Sequence, residues 1–79
     1  MVDWKPRITA DPRILGGKPV ITGTRVSVEL ILENLAMGLG VEEILKSFPF
    51  LTRDDVLAAL AYASEAAGEK VAVAGGAPR

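Results

Sequence analysis

Cysteine and histidine are both absent from this 79-residue chain. Without thiols there is neither a disulfide framework nor a thiolate metal site. Without imidazole, a zinc ion would find only carboxylates, which are a poor ligand set for it. Ser27 and Ser64 also lack a neighbouring base that could activate a hydroxyl group. We therefore predict no metal, no cofactor and no enzymatic activity.

Long apolar runs are missing as well. Glutamates interrupt each apolar stretch before it is long enough to span a bilayer. Residues 1–7 carry charges and lack the apolar segment of a signal peptide. We expect a cytoplasmic protein that makes no membrane contact.

Aromatic side chains number only four, although 49% of the residues are hydrophobic and the mean hydropathy is +0.31. A single domain of this length buries a modest share of its surface, so its own core gives limited stability. A small apolar monomer would leave an apolar patch exposed. The composition therefore favours a partner subunit, and we predict a homodimer.

Positive charge is concentrated near the N-terminus. Residues 1–25 hold five cations against two acids, and residues 26–79 hold four cations against eight acids. If the chain binds an anionic polymer, the N-terminal third should contact it. An unevenly charged but merely solvated surface is the alternative. The candidate DNA contacts are Lys5, Arg7, Arg13, Lys18, Arg25 and Arg53.

Short extended segments are predicted at residues 7–10, 13–15 and 19–22, where β-branched and aliphatic residues are separated by Asp11-Pro12 and Gly16-Gly17. Pro12 and Pro19 have no N–H to donate, so these segments suit the edge of a sheet. An unpaired edge on a small apolar protein invites a second copy. The β arms are therefore expected to pair across a dimer.

Three helices should follow. Ser27 is a good N-cap for the first, which Gly38 and Gly40 end. Its apolar stripe has helical spacing and consists of Val28, Ile31, Leu32, Leu35, Ala36 and Leu39. Leu30 and Met37 lie off this stripe, on a face that is either a dimer surface or additional core.

The second helix is predicted over residues 41–48, because Pro49 disfavours helix at the residue before it. Thr52 and Asp55 form a variant capping box that starts a third, alanine-rich helix, which ends near Gly68. We expect one domain over residues 1–67, with a β arm at 7–26 and a helical part at 27–67, followed by a flexible tail at 68–79. The predicted fold is mainly α, a three-helix, helix-turn-helix-like bundle with a short N-terminal β segment.

Two catalytic readings of the sequence fail. A phosphate-binding loop around Gly17-Lys18 would need glycine where Pro12 stands and a hydroxyl where Pro19 stands. The acid pairs Glu42-Glu43 and Asp54-Asp55 lie in first turns of predicted helices, where the helix dipole and capping explain them. We expect both pairs to face solvent, without the burial that shifts a catalytic pKa.

Helix, turn and longer helix over residues 41–67 are compatible with helix-turn-helix architecture. The candidate recognition helix begins Arg53-Asp54-Asp55, and its two acids would oppose phosphate binding. If the chain binds DNA, the contacts are therefore expected from the basic N-terminal arm. A protein-binding trihelical unit explains the same pattern equally well.

Several motifs resemble one family. They are Asp11-Pro12, Gly17-Lys18-Pro19, Gly23-Thr24-Arg25, Glu42-Glu43-Ile44-Leu45, Phe48-Pro49 and Asp55-Val56. Over residues 8–65 the chain is similar to the family called domain of unknown function 433 (DUF433). The resemblance implies a VapB-like antitoxin of a type II toxin–antitoxin module, partnered with a toxin that resembles PIN-domain ribonucleases.

Three functions stay open on this basis. In the first, the C-terminal helix and tail of an antitoxin bind the toxin, with Lys70 or Arg79 near its acidic metal site. In the second, the protein binds its own operator DNA. In the third, it is a dimeric interaction module that binds no nucleic acid, and Lys18 and Arg25 make contacts across the dimer.

Overall fold

The computed structural model describes residues 1–68. It contains two strands, β1 (Ile8–Ala10) and β2 (Pro19–Ile21), and three helices, α1 (Val28–Ala36), α2 (Val41–Ser47) and α3 (Arg53–Ala66). This confirms a short N-terminal β segment followed by three helices. The predictions for the tail beyond Gly68, including Lys70 and Arg79, lie outside the described residues.

The two strands pair with each other in an antiparallel ribbon, with Ile8 opposite Ile21 and Thr9 opposite Val20. The extended segments predicted at 7–10 and 19–22 are confirmed, but the one predicted at 13–15 is wrong. Residues 12–14 form a turn, and a single 3₁₀ turn follows at Leu15–Gly17. Leu15 and the two glycines all have positive φ, which no strand can accommodate.

Helix α1 begins as the sequence predicts. The Ser27 hydroxyl accepts a hydrogen bond from the Leu30 amide at 2.9 Å, and Gly38 adopts a left-handed φ of 95° beyond the last turn. Val28 and Ile31 are buried, whereas Ala36, the last stripe residue within the helix, is exposed.

The second apolar face of α1 is divided between core and solvent. Leu30 packs against the hydrophobic core, and Met37 is 72% exposed. The alternative of additional core therefore holds for Leu30, and Met37 is left as exposed apolar surface.

Helix α2 ends one residue earlier than predicted, because Phe48 has already left the helical conformation ahead of Pro49. The capping box of α3 is confirmed. The Thr52 hydroxyl accepts from the Asp55 amide at 3.2 Å, and the Asp55 carboxylate accepts from the Thr52 amide at 2.9 Å. These reciprocal bonds satisfy two amides that the helix leaves free.

The core lies between the β ribbon, α1 and α3. Alanines at positions 58 and 59 of α3 are fully buried, and such small side chains allow neighbouring elements to approach closely. Ile44 connects α2 to the same cluster. Trp4 meets Tyr62 of α3 edge-to-face, with ring centroids 4.8 Å apart, so the segment before β1 is also held against α3.

No helix among residues 1–68 is long and apolar enough to cross a membrane.

Candidate interaction surface

A tight loop at residues 22–25 follows β2 and turns the chain back toward α1. The Ile21 amide donates to the Val26 carbonyl at 2.9 Å, and Val20 forms a bridge with Ser27. Gly23 has a φ of 81°, a conformation that L side chains rarely adopt. The 22–25 loop therefore needs glycine at this position.

Thr24 holds the loop together from inside. Its amide and its hydroxyl both donate to the Ile21 carbonyl, at 2.9 and 2.8 Å. The same hydroxyl accepts from the Val26 amide at 3.0 Å. Because one short side chain bonds both ends of the loop, the backbone that carries Arg25 is fixed.

Arg25 itself is exposed and makes no side-chain hydrogen bond or ion pair with any residue in 1–68. It lines the same shallow depression as Phe50, which belongs to the turn between α2 and α3 and is 62% exposed. We call the shallow depression that these residues line the Arg25–Phe50 surface; its lining residues are Ile14, Gly23, Thr24, Arg25 and Phe50.

Three other cations proposed as DNA contacts are paired with acids of the chain itself. Arg13 makes two bonds to Asp11, at 2.8 and 3.1 Å. Lys18 bonds Glu29 of α1 at 2.8 Å. Arg7 forms the third such contact, described next. Within residues 1–68, Lys5 and Arg53 have no ion-pair partner.

Arg7 joins the segment before β1 to the start of α3. Its guanidinium bonds the Asp55 carboxylate at 3.1 Å and lies 3.7 Å from that of Asp54. The expectation that both acids face solvent is wrong for Asp55, whose relative exposure is only 9%. Burial is tolerated because the carboxylate accepts from both Arg7 and the Thr52 amide.

The two exposed ion pairs shift the pKa values of their members. The hydrogen bond from the Arg13 side chain lowers the pKa of Asp11. The hydrogen bond and the charge of Lys18 lower the pKa of Glu29, and Glu29 in turn raises the pKa of Lys18. These shifts favour the charged forms, so both pairs persist at neutral pH.

Among residues 1–68, no three acidic side chains lie close enough together to hold a metal ion. The residues that line the Arg25–Phe50 surface include no carboxylate, so its chemistry is that of one cation and one aromatic ring in the same depression. Such a site can bind an anionic group and an apolar group side by side.

The two short motifs, Gly17-Lys18-Pro19 and Gly23-Thr24-Arg25, have separate structural roles. Gly17 takes a left-handed φ of 91°, Lys18 pairs with Glu29, and Pro19 begins β2. In the second motif, Gly23 and Thr24 shape the loop. Of the two charged motif residues, only Arg25 has a side chain that makes no bond within the described part of the chain.

Residues 8–63, which include both strands, α1, α2 and most of α3, match the family whose description reads "Protein of unknown function (DUF433)". The chain belongs to this family. The match confirms the resemblance found in the sequence and contains both short motifs.

A relative from Sinorhizobium fredii (strain NBRC 101917 / NGR234), named "Uncharacterized protein y4eO", is 41% identical over 56 residues. The aligned region is 71% of this chain and 25% of the relative, so the chain spans about a quarter of that protein's length. No solved structure matches the chain.

Sequence reasoning missed Phe50, which it treated only as part of a linker of suitable length. The available signal was that Phe50 and Leu51 stand next to each other directly after Pro49. A connection this short between two helices cannot bury both side chains. Leu51 takes the buried place, and Phe50 is left at the surface against Phe48, with ring centroids 6.2 Å apart.

Proposed function

We propose that this chain is the antitoxin of a type II toxin–antitoxin module and that it binds and neutralises a PIN-like ribonuclease. Membership of the DUF433 family and the antitoxin role that the resemblance implies support the proposal. The observation that carries it is the unused Arg25 in the same depression as exposed Phe50, because arginine and aromatic residues are enriched at protein–protein interfaces.

The charge of the folded part favours a protein partner over a polyanion. Residues 1–68 carry seven lysines and arginines against nine aspartates and glutamates, a formal charge of −2. Nucleic-acid-binding domains usually have a basic face that neutralises several phosphates. Here Arg7, Arg13 and Lys18 are already engaged by carboxylates of the same chain.

The test is co-expression with the product of the adjacent gene. We expect the two proteins to co-purify through size-exclusion chromatography, and we expect the chain to relieve growth arrest caused by the partner alone. If neither occurs, the antitoxin proposal is wrong.

The same experiment tests the tail. A double variant, Lys70→Glu with Arg79→Glu, should weaken the complex if these residues lie near an acidic site of the partner. A complex of unchanged affinity would remove both residues from the interface.

Operator binding is the second candidate function, favoured by the helix-turn-helix-like order of α2 and α3 and by Arg53 at the start of α3. Only Lys5, Arg25 and Arg53 of the six predicted contacts are without an ion pair within residues 1–68. Three phosphate contacts predict a log–log salt slope of about −3 per chain. A mobility-shift titration on the upstream DNA measures it, and no shift at low salt would exclude this role.

The homodimer stays a prediction. β2 is bonded to β1 on one side and bridged to Ser27 on the other, so a second copy would have to add along β1. One amide of β1, that of Ile8, already donates to the Trp4 carbonyl. Sedimentation equilibrium tests the dimer; a monomer at all concentrations would rule out the dimeric interaction module as well.

A further inference from the structure

We infer that the Arg25–Phe50 surface is where the partner protein docks, and that the partner supplies a carboxylate to Arg25 and an adjacent apolar side chain to Phe50. This inference rests on the proposed function and specifies the chemistry of its contact.

The first argument is that the fold does not use Arg25. Gly23 and Thr24 of the same motif are needed to build the 22–25 loop. The loop would close in the same way with another side chain at position 25, because no bond within residues 1–68 involves the Arg25 guanidinium. Arg13 shows the alternative, because a guanidinium with a carboxylate in reach forms two bonds to it. Arg25 is therefore available for a carboxylate from outside.

The second argument is preorganisation. Residues on both sides of Arg25 are hydrogen-bonded, through Thr24 and through the Val26 amide and carbonyl. Binding at this position costs little backbone entropy, because the loop is already ordered. A planar guanidinium on a fixed backbone favours two parallel bonds to one carboxylate.

The third argument is the cost of exposing Phe50. A phenyl ring that is 62% exposed keeps most of its apolar surface in water. Its ring lies edge-on to that of Phe48, so it has a fixed neighbour on the side of the protein. Covering it with an apolar side chain of a partner would remove water from both the ring and the adjacent ion pair, which strengthens the latter.

The charge distribution distinguishes a carboxylate on a protein from a phosphate chain. The next helix after Phe50 begins with Arg53 and then exposed Asp54, whose side chain is 56% accessible. A polyanion passing over this region would meet that acid and a net negative domain. A protein can place one carboxylate at Arg25 and no negative charge near Asp54.

The experiment measures the affinity of the intact chain for the purified product of the adjacent gene by titration calorimetry. Arg25→Glu and Phe50→Ala should each weaken binding roughly 30-fold or more, the range of an interface hot spot. Arg25→Lys should recover only part of the affinity, because an ammonium cannot make the paired bonds.

Lys46→Glu is the matched control. It makes the same change of charge at an exposed residue in the last turn of α2, which does not line the Arg25–Phe50 surface and is not among the predicted contacts with DNA or toxin. It should leave the affinity within about twofold. Circular dichroism of each variant confirms that the fold is retained, and the paired use of Arg25→Glu and Phe50→Ala keeps the test valid if one of them fails to fold.

The outcomes separate the two proposals. If the unmodified chain does not bind the adjacent gene product, the antitoxin proposal fails. If it binds, and Arg25→Glu and Phe50→Ala bind as tightly as Lys46→Glu, the docking surface is wrong while the antitoxin proposal stands. Loss of operator binding with an intact protein complex would assign the surface to nucleic acid. Conversion of a dimer to a monomer would assign it to a second copy. Either result overturns the inference.

Discussion

The contact between Arg7 and Asp55 gives the sharpest stability prediction, because it joins residues 48 positions apart. Asp55 has two roles in the structure. Its Oδ2 accepts from the Thr52 amide at 2.9 Å, and its Oδ1 accepts from Arg7 Nη1 at 3.1 Å. Asp55→Ala removes both contacts, whereas Arg7→Met removes the second and, with it, the longer 3.7 Å contact to Asp54.

The two contributions can be estimated separately. Loss of capping costs about 1 kcal/mol. An exposed ion pair contributes roughly 0.2–1 kcal/mol, and a bond to a charged group in a less accessible site contributes more. The side chains of Arg7 and Asp55 are 38% and 13% accessible, so solvent screens the arginine and we take about 1 kcal/mol for the pair.

Asp55→Ala should therefore lower the free energy of unfolding by about 2 kcal/mol and Arg7→Met by about 1 kcal/mol. The double variant should lose about 2 kcal/mol, which gives a coupling energy of about 1 kcal/mol. A domain of this length has a total stability of roughly 4–12 kcal/mol, so the loss is readily measured.

Urea unfolding followed by circular dichroism provides the four free energies of the cycle. Thr52→Ala is the control, because it removes the other half of the capping box and leaves the ion pair in place. It should show no coupling to Arg7→Met. A coupling of zero between Arg7 and Asp55 at low salt, or an equal coupling between Arg7 and Thr52, would refute the reasoning.

Three further predictions concern the core, the loop and an exposed ion pair. Ile31→Ala should cost about 2–5 kcal/mol in chemical denaturation, because Ile31 is fully buried. Met37→Ala, at the exposed C-cap of α1, should change stability by less than about 0.5 kcal/mol. Gly23→Ala should lower the free energy of unfolding by about 1–2 kcal/mol. The cause would be backbone strain alone, since an added Cβ would meet no atom within 4 Å. Gly23→Asn should cost less, because asparagine tolerates positive φ. Lys18→Met should destabilise the protein slightly at neutral pH, because the ion pair with Glu29 is lost. In unfolding experiments over a range of pH, the difference from the unmodified protein should disappear as the pH falls below 4.5, the ordinary pKa of a glutamate, and through the lowered pKa of Glu29, since the pair stabilises only while Glu29 is charged. A difference that persisted in acid would contradict the assigned pair.

The local features of the fold were predictable because they depend on neighbours in sequence. Ser27 begins α1, and the box of Thr52 and Asp55 begins α3, as their spacing indicates. Each cap bond joins residues three apart, so the sequence alone contains both partners. The stripe on α1 was likewise predictable at Val28 and Ile31, which face the core.

The failures occurred where the fold brings distant residues together or where a turn replaces a strand. Residues 13–15 have the aliphatic composition of a strand, yet the positive φ of Leu15 and the following glycines belongs to a turn. The burial of Asp55 could not be predicted, because nothing near it in sequence indicated that Arg7 would lie 3.1 Å from its carboxylate.

The sequence alone was enough to predict the start of α1 at Ser27, the start of α3 at Thr52 and the three-helix order, and it contains no thiol and no imidazole group. Composition and short-range spacing are enough for these, because they involve single side chains or neighbours along one turn. Whether Arg7, Lys18 and Arg25 have a carboxylate within reach became known only from the tertiary structure. That property depends on distances across the fold, which pair Lys18 with Glu29 and leave Arg25 exposed in the same depression as Phe50.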